Sequence, residues 1–517
     1  MNRDIGIART EPRSPSNRNG KPLSEWLPIT LILALAAFLR LYHLGADDLW
    51  LDEVLSLDQT QSLAEGVAGF WRLSESWTAR PLALVLLHYA LQIGQSEFMV
   101  RLPYAIVSIA DVGALYLVAR DVAGHRTALR AALFLAVLPL HVWYGQEARW
   151  YAQWSLLGTL SFWALLRAWK TGRWRSWAGY AAAATMALYT YVISLQLLAA
   201  QAVAAWLLPR RNAAPPFRPR FVVAALGVLA LSWPMISVAL DLRVENPGPG
   251  GGGVGTPRAT TFVALPYTFF SYVAGYTVGP TVAELHALPE MTWILREFPE
   301  VVLYYAIFGT FALLGLWALR RRGPAAAIVL PWSVGLPLIV FASAVIAGQT
   351  YNVRYTFAAV PGFALLLSLG VESLGRWKPV GTLLAVGLFA LSLGNHYWNP
   401  RYDKEHLREA TSYVRSSPYE DVPVALIGQG GHVAIHYAPD LDLRSLYGCR
   451  PSEPDVEGGM VPTVRIEELR AEPRWWLLVS RDWVDYAGVC LERSRATLEV
   501  AERRSFPGVE LYLLQPR

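Results

Sequence analysis

Charge is scarce in this chain: Asp, Glu, Lys and Arg make up 16% of its 517 residues against 54% hydrophobic residues, and the mean hydropathy is +0.30. That balance excludes an ordinary water-soluble protein of this size and makes a membrane the first expectation. Cysteine is nearly missing, with only Cys449 and Cys490, both in the hydrophilic C-terminal part. If that part faces an oxidising compartment a disulfide is permitted; two unpaired buried thiols are the other reading. No basic patch interleaved with aromatics accompanies the formal charge of +5, so nucleic acid is not an expected partner. Metal-ligand spacings do not recur, and no internal repeat or pair of broken apolar segments marks inverted transporter halves. Nucleotide-binding motifs are missing too. The glycine-rich stretch Glu245 to Pro257 follows no strand, carries no lysine and does not end in Gly-Lys-Ser/Thr, which leaves a flexible linker or a mobile lid.

What is present is a series of apolar windows, each near the roughly 20 residues that a hydrocarbon core about 30 Å thick requires. Eleven are expected to span: 27–44, 102–119, 128–144, 152–169, 177–191, 192–208, 221–241, 301–319, 325–346, 355–374 and 379–397. Residues 1–26, basic and rich in Pro, Ser and Asn, read as a disordered cytoplasmic tail. With that tail inside, Arg120, Arg126 and Arg130, then Lys170, Arg173 and Arg175, then Arg210, Arg211, Arg218 and Arg220, then Arg320 to Arg322, and finally Arg376 and Lys378 all fall on the cytoplasmic side. This is the pattern of the positive-inside rule. It holds only if Pro81 to Ile93, too short for a crossing, is an interfacial helix. The expected fold is a mainly α polytopic bundle over residues 27–397. Residues 398–517 follow as a small α/β domain outside, with a helix over Lys404 to Ser416 and strands at Val422 to Ile427, Trp475 to Val479 and Glu510 to Leu514.

Polar residues near the arginine-poor boundary need a reason. The first outer connection holds Asp52 and Glu53 beside Trp50; next come Arg80-Pro81, then Gln146-Glu147-Ala148-Arg149-Trp150-Tyr151, then Arg354-Tyr355. Three carboxylates and several arginines thus converge on one surface, where a guanidinium fork suits a lipid phosphate. Helix N-capping, snorkelling and simple ion pairing are the structural readings of the same residues. Arg40, at the outer end of the first window, is expected to be structural. Asp111, mid-window, is expected to face the bundle interior with a partner, and His88 and His141 to be packed side chains.

In this order, Leu49-Trp50-Leu51-Asp52-Glu53, Arg80-Pro81, Ser96-Glu97-Phe98-Met99-Val100-Arg101-Leu102-Pro103, Gln146 to Tyr151, and Arg354-Tyr355 with Pro361 resemble the GT-C superfamily of integral-membrane glycosyltransferases. The likeness is to its protein O-mannosyltransferase and aminoarabinose-transferase-like group, over roughly residues 27–375. The resemblance implies sugar transfer from a polyprenyl phosphate at the outer face of a bacterial inner membrane. Asp52 would be the base, with Glu53 and Glu147 as further catalytic carboxylates. Arg80, Arg149 and Arg354 would bind the donor phosphate, and Tyr151 and Tyr355 would line the substrate. The acceptor would be a glycan, lipid or protein. No cofactor is required by such chemistry. A divalent metal is in doubt because Ala79 stands where some relatives carry a carboxylate. The competing readings are a polytopic transporter or lipid flippase, and an inactive relative serving as a scaffold.

Overall fold

The computed structural model describes residues 26–75, 80–209, 216–245, 262–287, 291–348, 351–428, 430–449, 461–469, 472–482, 486–495 and 497–517. The expected N-terminal tail, Arg210 and Arg211, Ala79 and nearly all of the glycine-rich stretch lie outside those residues. Apolar sequence that must satisfy its own backbone hydrogen bonds becomes helix, and all eleven windows fall on helices. Five described helices are long and apolar enough to cross a membrane: Glu97–Ala123, Pro299–Leu319, Gly323–Ile346, Val353–Glu372 and Gly375–Trp398. A sixth crossing would be the pair His125–Val137 and Pro139–Gly145, bent by 59°. The remaining windows yield shorter helices, such as Leu27–Leu41 and Ser194–Leu207, or less apolar ones. Tyr151–Thr171 buries Gln153, Ser155, Thr159 and Ser161 against its neighbours. A helix enclosed by other helices does not have to match lipid along its length.

Local breaks follow sequence. Pro139 supplies no N–H and forces Leu138 out of helical geometry (φ −69°, ψ 118°), which produces the bend. Below that bend, Arg40 donates to Ser108 and to His141 Nδ1 (both 2.7 Å), and His141 Nε2 meets Asp111 Oδ2 at 3.2 Å, where Ser155 also donates at 2.6 Å. Arg40 and Asp111 are therefore internal fasteners between helices. Glycine permits a close crossing: a Cβ on Gly370 would lie 1.8 Å from the Phe311 carbonyl, so Pro299–Leu319 and Val360–Glu372 pack backbone to backbone.

The bundle has two distinct ends. At one, Glu372 takes Arg130 at 2.8 Å and also Lys378, while Lys170 donates to the Asp121 carbonyl at 2.7 Å. At the other, roughly 36 Å away along Glu97–Ala123 at 1.5 Å per residue, Glu97 binds Arg408 of the C-terminal domain at 2.8 Å.

That domain holds one six-stranded sheet in the order β3-β2-β1-β4-β6-β5. The strands are β1 (Val424–Gly428), β2 (Leu443–Tyr447), β3 (Thr463–Arg465), β4 (Trp475–Ser480), β5 (Leu498–Phe506) and β6 (Val509–Pro516). The first four are parallel; β6 pairs antiparallel with β4 and β5. The three expected strands appear as β1, β4 and β6, and the expected helix is Leu407–Ser416, shorter at its start. Strands β2, β3 and β5 were not foreseen, because β2, LRSLY, is only partly buried, β3 is three residues long and β5, LEVAERRSF, is mostly exposed. Cys449 and Cys490 form a disulfide. Leu407, Ala410, Val414, Trp476 and Leu511 share an apolar core with Leu49, Val54, Val100 and Tyr104 of the bundle. The domain is thereby seated on the bundle's first long connection.

Candidate functional site

The site begins with a capped turn. Trp50 is extended (φ −93°, ψ 170°) and opens the helix Leu51–Thr60, whose first turn carries Asp52 and Glu53. Glu53 was expected beside Asp52 as a catalytic carboxylate, yet it turns inward and is fully buried. Its Oε1 accepts from Arg101 Nε (2.9 Å) and Ala148 N (2.8 Å), and its Oε2 from Arg101 Nη2 (2.8 Å) and Trp50 N (3.2 Å). Arg101 spends its remaining donors on the Leu44, Asp47 and Asp48 carbonyls at 3.2, 2.8 and 2.8 Å. Burial alone would raise the Glu53 carboxyl, but the Arg101 guanidinium holds it at about 2. With every lone pair engaged, Glu53 fastens the 44–50 connection and the 146–150 loop to one helical turn and has nothing left for a ligand.

The neighbouring residue points the other way. Asp52 Oδ2 lies 3.0 Å from Arg354 Nη1 and 3.4 Å from Arg149 Nη2. Its Oδ1 has no hydrogen-bond partner among the described residues, and the side chain is 21% exposed, so this oxygen opens onto the site. Arg149 is held by the Asp52 carbonyl and Ser56 Oγ, both at 2.6 Å. Arg354 sits at the start of a turn capped by Asn352 Oδ1 (3.1 Å).

Arg80 enters through aromatic stacking. Pro81 starts the expected interfacial helix, Pro81–Ile93, which Tyr104 ties down through the Ala83 carbonyl at 2.9 Å. The Arg80 guanidinium then lies 3.5 Å from the centre of the Trp150 ring, and Arg149 lies 3.5 Å from the centre of the same ring. Among the described residues no carboxylate is within ion-pair distance of Arg80. It keeps some solvent access, but enough protein surrounds it that desolvation, helped by the Arg149 charge, lowers it to about 10. Tyr191 extends the aromatic wall, 5.6 Å from Trp150 and 6.3 Å from Tyr355 between ring centres. Tyr151 packs at a tilt against Tyr144, 4.4 Å between ring centres.

Glu147 completes the group. It is 1% exposed, with Oε1 3.5 Å from Lys404 Nζ and Oε2 unpartnered. Burial raises its carboxyl to about 7; Lys404 opposes that rise, while Glu53 and Asp52 add to it.

Buried polar atoms without partners gather here: Glu147 Oε2, Arg149 Nε, Trp150 Nε1, Tyr151 OH and Arg354 Nε. Such atoms are costly unless something binds them. Three guanidiniums around one carboxylate, Asp52, leave two positive charges unbalanced, so the arrangement selects a polar, anionic ligand. The five residues in or near contact, Asp52, Arg80, Glu147, Arg149 and Arg354, were all named from sequence, as were Tyr151 and Tyr355 on the walls. Sequence reasoning missed Trp150 as the shared stacking surface, Arg101 as the clamp, and Lys404, which was read as part of a helix. Among the described residues no group of three or more His, Cys, Asp or Glu side chains is placed to hold a metal ion. An apolar cavity lined by Phe270, Tyr276, Val301 and Tyr305 has no charged group in its lining and reaches the site only through the Tyr276 hydroxyl, 3.0 Å from Tyr144 OH.

Comparison with known proteins agrees with this architecture. Residues 79–237 match the model of the dolichyl-phosphate-mannose-protein mannosyltransferase family. No curated protein matches the chain in sequence. In fold, the chain is similar to apo ArnT from Cupriavidus metallidurans (TM-score 0.54, 13% identity, covering 95% of this chain and 98% of that one). It is also similar to the same protein bound to undecaprenyl phosphate (TM-score 0.56, 12% identity, 94% and 98%). A third likeness is to the archaeal oligosaccharyltransferase AglB from Archaeoglobus fulgidus, in complex with an inhibitory peptide and a dolichol-phosphate (TM-score 0.51, 14% identity, 80% and 64%). The fold shared with ArnT is a multi-pass bundle of apolar membrane helices with a small C-terminal sheet domain.

Proposed function

We propose that this chain is an integral-membrane glycosyltransferase that moves a sugar from a polyprenyl-phosphate donor to an acceptor hydroxyl, with Asp52 as base. The observation that carries the reading is the pairing of a partner-free Asp52 Oδ1 with an excess of guanidinium charge a few ångströms away. The donor phosphate accepts from Arg80 and from the unpartnered Nε atoms of Arg149 and Arg354. Trp150 holds Arg80 and Arg149 in place, and the aromatic wall of Tyr191 and Tyr355 packs the sugar and the first part of the lipid. Tyr151 lies deeper, with its hydroxyl available to the sugar.

In the reaction, the acceptor oxygen attacks the anomeric carbon from the face opposite the phosphate while its proton passes to Asp52 Oδ1. The bond between the anomeric carbon and the phosphate oxygen breaks, and the phosphate leaves with the electron pair, gaining one negative charge. Two unbalanced cations stabilise that developing charge in a partly desolvated site. One displacement inverts the anomeric configuration. The donor carries its own activation, so the chemistry requires no further cofactor.

The site belongs, in this proposal, to the extracytoplasmic face of a bacterial inner membrane, with residues 1–26 in the cytoplasm, residues 27–397 as the transfer domain and residues 398–517 outside. The Cys449–Cys490 disulfide supports that placement, because such bonds persist in oxidising compartments. Against a transporter or flippase, Glu147, Arg149 and Arg354, each with an unpartnered buried atom, lie together at one end of the bundle. The charged groups in the middle are tied to one another through Arg40, His141 and Asp111.

The test is transfer from radiolabelled polyprenyl-phosphate sugars by the purified protein, with Asp52→Asn alongside. Wild-type transfer that falls by about 10²- to 10⁴-fold in the variant supports the reading. Equal transfer by both removes Asp52 from the mechanism, and no transfer by wild type from any such donor favours the scaffold. Mass spectrometry of lipid-linked sugars and glycans in cells lacking the chain would identify donor and acceptor.

A further inference from the structure

The segment joining the bundle to the C-terminal domain does more than connect them. After Trp398 the chain makes a short turn, Pro400–Tyr402, and runs extended to His406. It is anchored on the bundle side by Arg401 on Glu284 (2.9 Å) and by Tyr402 OH on the Gly279 carbonyl (2.8 Å). On the domain side, Glu405 pairs with Arg481 (2.5 Å) and His406 N donates to the Pro507 carbonyl (2.9 Å). Between these anchors Lys404 turns inward. Its side chain is 11% exposed, and its Nζ lies 3.5 Å from Glu147 Oε1 and 5.1 Å from the centre of the Trp143 ring. An ammonium buried this far is costly unless it is paired, and Glu147 is its ion-pair partner among the described residues.

We propose that Lys404 is a positioning residue for sugar transfer: the seated C-terminal domain holds its ammonium on one oxygen of Glu147, leaving the other, Oε2, aimed into the site to accept a hydrogen bond from the acceptor. The inference rests on the transfer reading given above and adds a role for the C-terminal domain, which supplies one wall of the acceptor site through its connector. Glu147 is faced by Lys404 from the connector, by Asp52 and Glu53 from the Leu51–Thr60 helix, by Arg149 from its own loop and by Tyr144 from Pro139–Gly145. Lys404 in turn lies near Glu53 and His396. Of the charges around Glu147, Lys404 is the strongest influence favouring the ionised form. Its loss moves the titration of Glu147 to higher pH, and each unit of that movement lowers the ionised fraction near pH 7 by up to about tenfold.

The experiment compares wild type with Lys404→Met, Lys404→Arg and Arg481→Ala in steady-state transfer between pH 6 and 9, together with thermal unfolding over the same range. Lys404→Met is expected to raise the acceptor KM with the donor KM unchanged and to move the acid limb of the rate profile upward by a unit or more. Lys404→Arg restores most of the rate, and Arg481→Ala, which loosens the connector from the domain side, reproduces the defect more weakly. A Lys404→Met enzyme with the wild-type acceptor KM and pH profile overturns the proposal. If wild type transfers nothing, the transfer reading fails and the positioning role of Lys404 fails with it. The unfolding series then separates the two: a pH dependence shifted by Lys404→Met shows that the Lys404–Glu147 pair exists without that role, and an unshifted one overturns the pair as well.

Discussion

Replacing Glu53 by Gln would separate the scaffold of the site from its chemistry. Glu53 accepts four hydrogen bonds within 3.2 Å, two of them from the Arg101 fork, and has no solvent exposure. Its carboxyl sits at about 2 against an ordinary 4.5, and at 1.36 kcal/mol per unit that corresponds to about 3 kcal/mol of net attraction for the charged form. The figure agrees with the roughly 3–5 kcal/mol lost when one member of a buried ion pair is removed. Gln keeps the shape but presents an amide N–H₂ where an acceptor is needed, leaving the Arg101 charge uncompensated. The effect belongs locally to the 44–57 segment and the 146–150 loop, which the clamp joins. Hydrogen exchange read by mass spectrometry should therefore show protection of backbone amides in 51–57 falling by about 10²-fold, the equivalent of about 3 kcal/mol in local opening. The sign with pH is also set. A depressed carboxyl contributes stability that is present above the unfolded value of 4.5 and is lost as pH falls toward 2, so the clamp adds no pH dependence between 6 and 9. Unchanged protection in Glu53→Gln, with transfer lost nonetheless, would refute the clamp and return Glu53 to the catalytic group.

Arg80→Lys keeps the charge but loses the planar stack on Trp150, whose centre lies 3.5 Å from the guanidinium; the donor KM is expected to rise about tenfold, a loss of roughly 1–2 kcal/mol. Glu147 gives the opposite pH signature to Glu53, since a carboxyl raised to about 7 keeps its proton in the folded state after the unfolded chain has lost its own. Stability should fall as pH rises from 4.5 to 7, by about 3 kcal/mol in all, and then level off. Glu147→Gln should flatten that part of a plot of unfolding temperature against pH, and an unaltered slope would exclude Glu147 as its source. Cys449→Ser opens a disulfide that bridges 41 residues; loop-closure entropy puts the loss at up to about 4 kcal/mol, seen as earlier unfolding of the C-terminal domain by limited proteolysis.

Several features were legible because they depend on neighbours in sequence. The short apolar stretch Pro81 to Ile93 is a 13-residue helix that begins and ends at those residues. The break expected near Val192 lies between helices ending at Thr190 and beginning at Ser194. Asp52, Arg80, Glu147, Arg149 and Arg354 could be grouped in advance because the bilayer sorts residues by side, and five polar residues on one rim have few places to go. The number of helices that qualify as crossings was less legible. Hydropathy assumes lipid as the surrounding medium, whereas Tyr151–Thr171 is surrounded largely by other helices.

From the sequence alone came the apolar bundle, the distinct C-terminal domain and the set of charged residues assembled at one boundary, because periodicity, length and the cost of a charge in hydrocarbon act along the chain. Only the tertiary structure decided which carboxylate faces the site. Asp52 and Glu53 are adjacent and chemically alike, and what separates them is Arg101, 48 residues beyond Glu53, which consumes one and leaves the other facing the site. Lys404 reached Glu147 from the far end of the bundle sequence for the same reason. A hydrogen bond or ion pair between distant residues is a property of the packed fold, and no local pattern encodes its partner.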